Sequence, residues 1–291
     1  MRILITGANG QLGQELIVRG RQTDFIITGL TRSQLDIANA PEVQSSIRDL
    51  KPDLIINAAA YTKVDLAESE PEQAYAVNLN AVVNLAANCA RQSIPLLHIS
   101  TDYIFDGNKQ SPYEEEDHAN PVGIYGKSKW LGELALRHIL KEHLILRVSW
   151  VYGLHGANFV KTMIRLGKER EIIKVVNDQW GCPTSTAGIA EVVFKIIAQI
   201  QARQFQWGTY HYCEGPALSW FDFANSIMSI AANYDTLKIK EVLAIPANEY
   251  PTSAIRPVNS VMSCQKLIDQ LNFQPFSWQE MLPSMIRGLY S

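Results

Sequence analysis

Over the first 150 residues, short apolar runs alternate with longer segments of mixed polarity. Residues 2–6 (RILIT), 25–30, 53–57, 95–100 and 144–149 are runs of five or six residues rich in Ile, Leu and Val. That length and composition fit strands buried on both faces of a parallel sheet. The intervening segments 11–21, 41–50, 71–92 and 121–142 read as helices, with Pro41 at a start position where a missing N–H costs nothing. Alternation of this kind requires right-handed crossovers, a parallel sheet and helices on both of its faces. The expected class is therefore α/β, a doubly wound parallel sheet (Rossmann fold), whose ligands lie beyond the carboxyl ends of the strands.

After residue 150 the rhythm loosens. Segments 172–177 and 208–213 read as strands, and 185–201 and 219–233 as helices. Gly, Pro and Asn punctuate the stretch between 179 and 185. We expect residues 1–150 to form the dinucleotide-binding domain. Residues 151–291 should complete the sheet and form a smaller, discontinuous C-terminal lobe facing the substrate, the boundary being approximate. No internal repeat or low-complexity tract is present.

With 47% hydrophobic residues in 291, a full core needs no metal or disulfide staple. A net charge of -3 without a basic stripe argues against nucleic acid as a main partner. Cys89, Cys182, Cys213 and Cys264 form no CxxC pair and no zinc spacing, so idle thiols in a reducing compartment are expected. The apolar run after Arg2 is too short for a signal peptide, and none approaches the roughly 18 apolar residues of a membrane span. A soluble, cytoplasmic protein is expected.

The first strand runs into Gly7-Ala8-Asn9-Gly10-Gln11-Leu12-Gly13 and then a helix, the context in which a GxxGxxG turn holds a dinucleotide. Gly7 allows the tight turn, Gly10 the approach of a pyrophosphate, and Gly13 close packing of helix on sheet. The helix start offers N–H groups and partial positive charge to the phosphates. An NAD site usually has an acid at the end of the second strand; here that place holds Arg32, whose planar fork suits a 2′-phosphate. NADPH is favoured on this ground, with NADH left open and a solvated surface Arg32 as the alternative. Asp36 and Ile37 would flank the adenine, the acid toward its amino group and the isoleucine against the ring. Asn57-Ala58-Ala59-Ala60 ends the third strand in small residues, which suits a wall against the cofactor or a tight packing seam.

Tyr125 and Lys129 stand four apart on a helix and so share a face. A free phenol titrates near about 10, and a neighbouring ammonium should lower that value. Thr101, at the end of the fourth strand, would bring a hydroxyl to the same crevice to orient a substrate carbonyl. Asn78, mid-helix, is a poor helix former: it bends the helix, holds a water linked to Lys129, or faces solvent.

In ITGANGQLGQEL, PDLIINAAAYTKVDLAESEPEQAYAVN, ISTDYIFDG, YGKSKWLGE, LRVSWVYG, NFVKTM, VNDQWGCPT and RPVNS the chain resembles the extended short-chain dehydrogenase/reductase superfamily. Within it, the chain is most similar to the dTDP-4-dehydrorhamnose reductases. These segments span nearly the whole chain in order. The resemblance implies NADPH-dependent reduction at C4 of dTDP-4-dehydro-β-L-rhamnose (dTDP-4-dehydro-6-deoxy-L-mannose). Tyr125 would be the proton donor, Lys129 the residue that tunes it and holds the ribose, and Thr101 the group that polarises the carbonyl. Tyr61 would join Ala58–Ala60 at the cofactor. Thr62, Val64, Asp65, Asp102, Tyr103 and Trp150 would line the sugar pocket, with Trp150 against the 6-methyl group or in the core. Asn158, Gln179 and Arg256 would serve the nucleotide diphosphate, a surface ion pair being the alternative for Arg256. Some relatives bind Mg2+ at a homodimer interface through acids of both subunits. Glu15 matches one such acid, but Ser185-Thr186-Ala187-Gly188 lacks the second and Glu191 stands one helical turn away. No metal ligand is therefore assigned, and a homodimer is left open. The rival readings are another nucleotide-sugar reductase or epimerase on the same scaffold, and a non-catalytic regulatory subunit like that of methionine adenosyltransferase. The presence of both Tyr125 and Lys129 argues against the second.

Overall fold

The structure is a computed structural model describing residues 1–291. Six parallel strands form its central sheet: β1 (Arg2–Thr6), β2 (Ile26–Leu30), β3 (Leu54–Asn57), β4 (Leu96–Thr101), β5 (His143–Val148) and, from the C-terminal half, a strand at Gly208–Tyr212. Their order across the sheet is β2-β1-β3-β4-β5 and then the Gly208–Tyr212 strand. The chain moves outward from β1 to β2 and returns across β1 to β3, so the strand order reverses there. A doubly wound sheet opens its ligand crevice at such a reversal.

Helices cover both faces. α1 (Gln11–Gly20) lies on one face, and α2 (Ala40–Leu50) on the other. The segment expected as one helix over 71–92 is interrupted. After the short α3 (Val64–Ala67) come α4 (Pro71–Tyr75), a π-helical turn (Ala76–Asn80) and α5 (Ala81–Gln92). The interruption falls on Asn78, which is buried and hydrogen-bonded, so its solvent-facing alternative is overturned. A 3-10 turn (Asp102–Ile104) follows β4. α6 (Ile124–Ile139) is shorter than the expected 121–142 because Gly123 and Leu140 adopt extended backbone at its two ends. No helix of the chain is long and apolar enough to cross a membrane.

The remaining elements in chain order are β6 (Val151–Tyr152), α7 (Phe159–Glu169), β7 (Ile172–Val176), β8 (Trp180–Gly181), β9 (Thr184–Ser185) and α8 (Thr186–Gln201). They continue with β10 (the sixth sheet strand, Gly208–Tyr212), β11 (Leu218–Ser219), α9 (Trp220–Ala231), β12 (Glu241–Ile245), α10 (Gln265–Leu271) and α11 (Trp278–Gly288). α8 joins α1 on its face of the sheet, where Ile189, Val192, Val193, Ile196 and Ile197 are wholly buried. α7, α9, α11 and the parallel pair β7–β12 enclose a separate apolar cluster that includes Phe223, Ile227 and Leu282. Of these, α7, α11 and β12 were not anticipated. Yet α7 carries Val160, Met163, Ile164 and Gly167 on one buried face at helical spacing, behind the cap Asn158.

Candidate active site

The glycine turn is built by close contact. Gly7 sits at φ +72, and a methyl group there would lie 2.6 Å from the Ala59 nitrogen. A methyl on Gly13 would lie 2.2 Å from the Gly7 carbonyl oxygen, so α1 rests directly on the turn. Leu12 anchors the helix in the core, while Gly10, its N-cap, offers no side chain to its leading N–H groups. Gln14 holds the Asn9 carbonyl at 2.8 Å. An uncapped helix start behind bare glycines, with half-buried Ala58, Ala59 and Ala60 alongside, fits a pyrophosphate. The seam reading of Ala58–Ala59 is also present, since Gly7 packs on their backbone.

At the end of β2, Arg32 is 78% exposed, and its closest carboxylate, Asp36, lies 3.8 Å away. Its guanidinium is thus free to meet an anion. Asp36 accepts from the Ala38 N–H at 3.0 Å. Ile37 departs from expectation: it is only 4% exposed and belongs to the core cluster of Leu35, Val43 and Ile47, not to an open face for a ring. An apolar side chain next to α2 gains more from that core than from the rim.

Tyr125 and Lys129 enter on α6. Two glycines press this helix onto the turns around it: a methyl on Gly126 would lie 2.2 Å from the Tyr103 carbonyl, and one on Gly132 2.1 Å from that of Asn78. Asn78 fastens the same region, accepting from the Tyr61 N–H at 2.9 Å and donating to the Tyr61 carbonyl and Ser128 Oγ, each at 3.0 Å. The Tyr61 hydroxyl donates to Glu70 at 2.7 Å.

Around the phenol the electrostatics differ from expectation. Burial pushes Tyr125 up to about 12, and the Thr101 hydroxyl beside it offsets only part of the rise. The expected lowering by Lys129 is absent from the causes acting on the phenol, whose rise comes from burial and Asp102. Lys129 Nζ donates to the Ile99 carbonyl at 2.7 Å and lies 3.2 Å from His98 Nε2. Burial brings Lys129 down to about 8, against a smaller opposing effect of Glu133. Thr101 gives its proton to Asp102 at 3.1 Å and accepts from the Tyr103 N–H at 3.2 Å. Its hydroxyl is therefore committed to the turn that follows β4, and polarising a carbonyl requires it to rotate off Asp102. Asp102 is 2% exposed, burial lifts it to about 6, and its Oδ2 has no partner.

The expected sugar-side residues gather partly. Arg256 donates to Asp65 at 2.7 Å, a half-buried ion pair, and Tyr103 stands edge-on to Tyr125 with ring centroids 5.6 Å apart. Thr62 is exposed, and Val64 is half-buried on α3 with Asp65. Gln179 precedes β8, whose Trp180 N–H donates to the Val258 carbonyl at 2.7 Å, so the Gln179 and Arg256 segments run side by side. Trp150, at φ 44, stacks on Trp220 with centroids 3.4 Å apart and planes 4° apart. Asn158 has other partners than Arg256. Its oxygen caps α7 through Lys161, and its nitrogen donates to Gly153 at 2.8 Å and to Gln11 at 3.1 Å, tying the lobe to the glycine turn. Arg19 lies between Glu15 (3.1 Å) and Glu191 (3.4 Å), and no three His, Cys, Asp or Glu side chains gather as metal ligands would. Residues not anticipated are His98, which lies against Lys129, Ser128, which meets Asn78, and Trp220 under Trp150. A polar His98 inside the apolar run LLHIS was their one legible signal.

The fold and site together define a nicotinamide-dependent oxidoreductase of the short-chain dehydrogenase/reductase class. A family model described as the RmlD substrate binding domain matches residues 1–291, and the chain belongs to this family. It is 43% identical over 290 residues to the dTDP-4-dehydrorhamnose reductase of Aggregatibacter actinomycetemcomitans, covering 98% of each chain. The crystal structure of dTDP-4-dehydrorhamnose reductase from Bacillus anthracis in complex with NADP is 39% identical, covers 99% of each chain and superposes with a TM-score of 0.92. The Clostridium acetobutylicum orthologue is 37% identical over the full length of both chains, with a TM-score of 0.93. A Thermotoga maritima UDP-glucose 4-epimerase, 16% identical with a TM-score of 0.83, shares the fold.

Proposed function

We propose that the chain reduces the C4 ketone of dTDP-4-dehydro-β-L-rhamnose to the alcohol of dTDP-L-rhamnose, using NADPH. The observation that carries this reading is the half-buried phenol of Tyr125 beside the buried Thr101, on the helix that also carries the buried Lys129, in a fold whose glycine turn is shaped for a pyrophosphate. When bound, the dihydronicotinamide supplies the hydride. The pyrophosphate would lie on Gly10 and the start of α1, and the ribose near Tyr125 and Lys129. Tyr125 holds its proton through the neutral range and gives it to the developing alkoxide. Thr101, turned from Asp102, would donate to the same oxygen and stabilise its charge. Tyr103, Asp65 and Arg256 adjoin the phenol and would take the sugar and diphosphate, with Trp150 as an apolar wall. The division into a cofactor domain (1–150) and a substrate lobe (151–291), a homodimer and a cytoplasmic location belong to the same proposal. The homodimer is checked by light scattering on the purified protein.

The direct test couples an upstream dehydratase and 3,5-epimerase to this protein and follows absorbance of NADPH or NADH. Stoichiometric oxidation with the ketosugar supports the reading, and no oxidation with either cofactor refutes it. Replacing Arg32 by Asp removes a cation whose hydrogen bonds to a phosphate are worth roughly 1.5–3 kcal/mol. The NADPH-over-NADH ratio of kcat/KM should fall by roughly 10- to 150-fold. An unchanged ratio would show that Arg32 does not read the 2′-phosphate.

A further inference from the structure

Trp150 stands in a backbone conformation that a bulky residue avoids. Its φ of 44 lies in the left-handed region, where a Cβ crowds the following carbonyl. A residue held there stores strain, and its surroundings have to over-determine the arrangement. The Trp150 carbonyl accepts from the Thr184 N–H at 3.2 Å, which joins it to the start of β9. Ser149, the residue before it, donates through Oγ to the Cys182 carbonyl at 2.7 Å. The indole is pressed on Gly181, where a methyl group would collide with its Nε1 and Cε2 atoms.

The remaining contact is a second indole. Trp150 and Trp220 lie with centroids 3.4 Å apart and planes 4° apart, face to face with almost no offset. Free aromatic pairs prefer an offset or an edge-on approach, so this pair is held by what surrounds it. Trp220 opens α9 behind its cap Ser219, and the capping box of Ser219 with Asp222 fixes where that helix starts. Phe159 of α7 packs against Trp220, with centroids 4.5 Å apart and planes inclined by 51°. Phe159 in turn stacks on Phe223 in the apolar cluster of the lobe. Trp150 is thus the last ring of a column that begins in the core of the lobe. That column ends at the carboxyl edge of the sheet: Val148 of β5 pairs in register with Thr101, and Trp150 follows two residues later.

We propose that Trp220 is a positioning residue for the sugar. Stacked on Trp150, it holds that indole on its strained backbone, so that the apolar wall for the deoxysugar stands preformed before the ligand arrives. The proposal rests on the nucleotide-sugar reading given above. Without its flat partner, Trp150 relaxes toward an ordinary backbone region, and sugar binding then has to restore the strained form. The affinity lost is the strain that must be rebuilt. Strain of the usual size corresponds to roughly 5- to 150-fold in Kd. Leucine in place of Trp220 keeps an apolar side chain there but offers no plane, whereas phenylalanine offers one.

The test is titration calorimetry in the presence of NADP+, comparing dTDP-L-rhamnose with dTDP on wild type, Trp220→Leu and Trp220→Phe. The ratio of the two affinities isolates the sugar. Trp220→Leu should lower that ratio by roughly 5- to 150-fold, with dTDP alone bound as in wild type, and Trp220→Phe should recover most of it. A folded Trp220→Leu protein with the wild-type ratio overturns the proposal, as does a phenylalanine variant no better than the leucine one. General loosening of the lobe would weaken both ligands alike, and that outcome also overturns it. Should Trp220→Leu fail to fold, Gly181→Ala decides, because its methyl group displaces the Trp150 indole while leaving Trp220 in place. A lowered ratio there supports the proposal, and an unchanged one overturns it. If wild type itself binds dTDP-L-rhamnose no better than dTDP, this proposal and the functional reading fall together. Failure in the variants alone leaves the functional reading standing.

Discussion

Tyr125→Phe is expected to reduce kcat with the ketosugar by roughly 10²- to 10⁴-fold, the span that a positioned general acid contributes. NADPH affinity should stay within about twofold, because the hydroxyl that is lost touches the reacting oxygen and not the pyrophosphate cradle. The reason lies in the placing of the phenol. Burial lifts Tyr125 to about 12, so it is protonated at every pH at which the protein would be assayed. Phenylalanine keeps the ring and its edge contact with Tyr103, and so preserves packing. What disappears is the only proton next to the developing alkoxide, apart from that of Thr101, which in this arrangement is given to Asp102. Steady-state rates on the coupled assay, with cofactor binding followed by quenching of protein fluorescence, separate the two effects. A variant turning over within tenfold of wild type would remove Tyr125 from the role of proton donor.

The sheet was legible because its strands are continuous apolar runs and its helices carry turn residues at their starts. β1, β3 and β4 match expectation within a residue or two. The glycine turn was legible for a steric reason: three positions need hydrogen where any other residue needs a carbon, and the spacing alone records that. The convergence of Thr101 with Tyr125 was likewise readable, from a strand end and one helix face. The electrostatics were not. The statement that Lys129 lowers the phenol assumed that two residues four apart point at each other. In the folded chain Lys129 turns under the sheet, toward a histidine 31 positions earlier. No local pattern reports such a choice, which depends on what β4 presents. Ile37 was expected against the adenine ring from its place after the second strand, whereas the core took the side chain. Asn158 was expected toward the diphosphate, and its oxygen caps α7 while its nitrogen meets Gln11 beside the glycine turn. The C-terminal lobe was least legible, because its strands are short and its helix α11 carries an internal Pro283. The polar residues set inside apolar strands, His98 and Arg147, were the overlooked signals. A charged or titratable group in a doubly buried strand has to be paired, and here the partners are Lys129 for His98 and Glu133 for Arg147.

Arg147 supplies the second large effect. It is 1% exposed on β5, and Glu133, at the centre of α6, is wholly buried. The guanidinium meets the carboxylate through Nε at 3.1 and 3.2 Å and through Nη2 at 2.8 Å. Its remaining nitrogen lies 3.1 Å from His211 Nε2, and its plane stands over the rings of Phe105 and Trp130. Glu133→Leu would strand that cation in the interior, with Arg137 as a second positive charge nearby and no anion between them. Breaking a buried pair from one side typically costs about 3–5 kcal/mol. Thermal unfolding should therefore begin on the order of 10 °C lower. The double variant Glu133→Leu with Arg147→Met should recover most of the loss, since removing both charges also removes the desolvation penalty. A single variant within about 1 kcal/mol of wild type by urea unfolding would show that water reaches Arg147 and that the pair is not structural. The site should feel the change as well. Glu133 is one helical turn beyond Lys129, and the pair is what fixes α6 against β5. Loss of the pair should therefore lower kcat in the single variant even at temperatures where it is fully folded, and the double variant should restore it. Recovery of stability without recovery of rate would assign Glu133 to the charge balance of Lys129 and not to the seating of the helix.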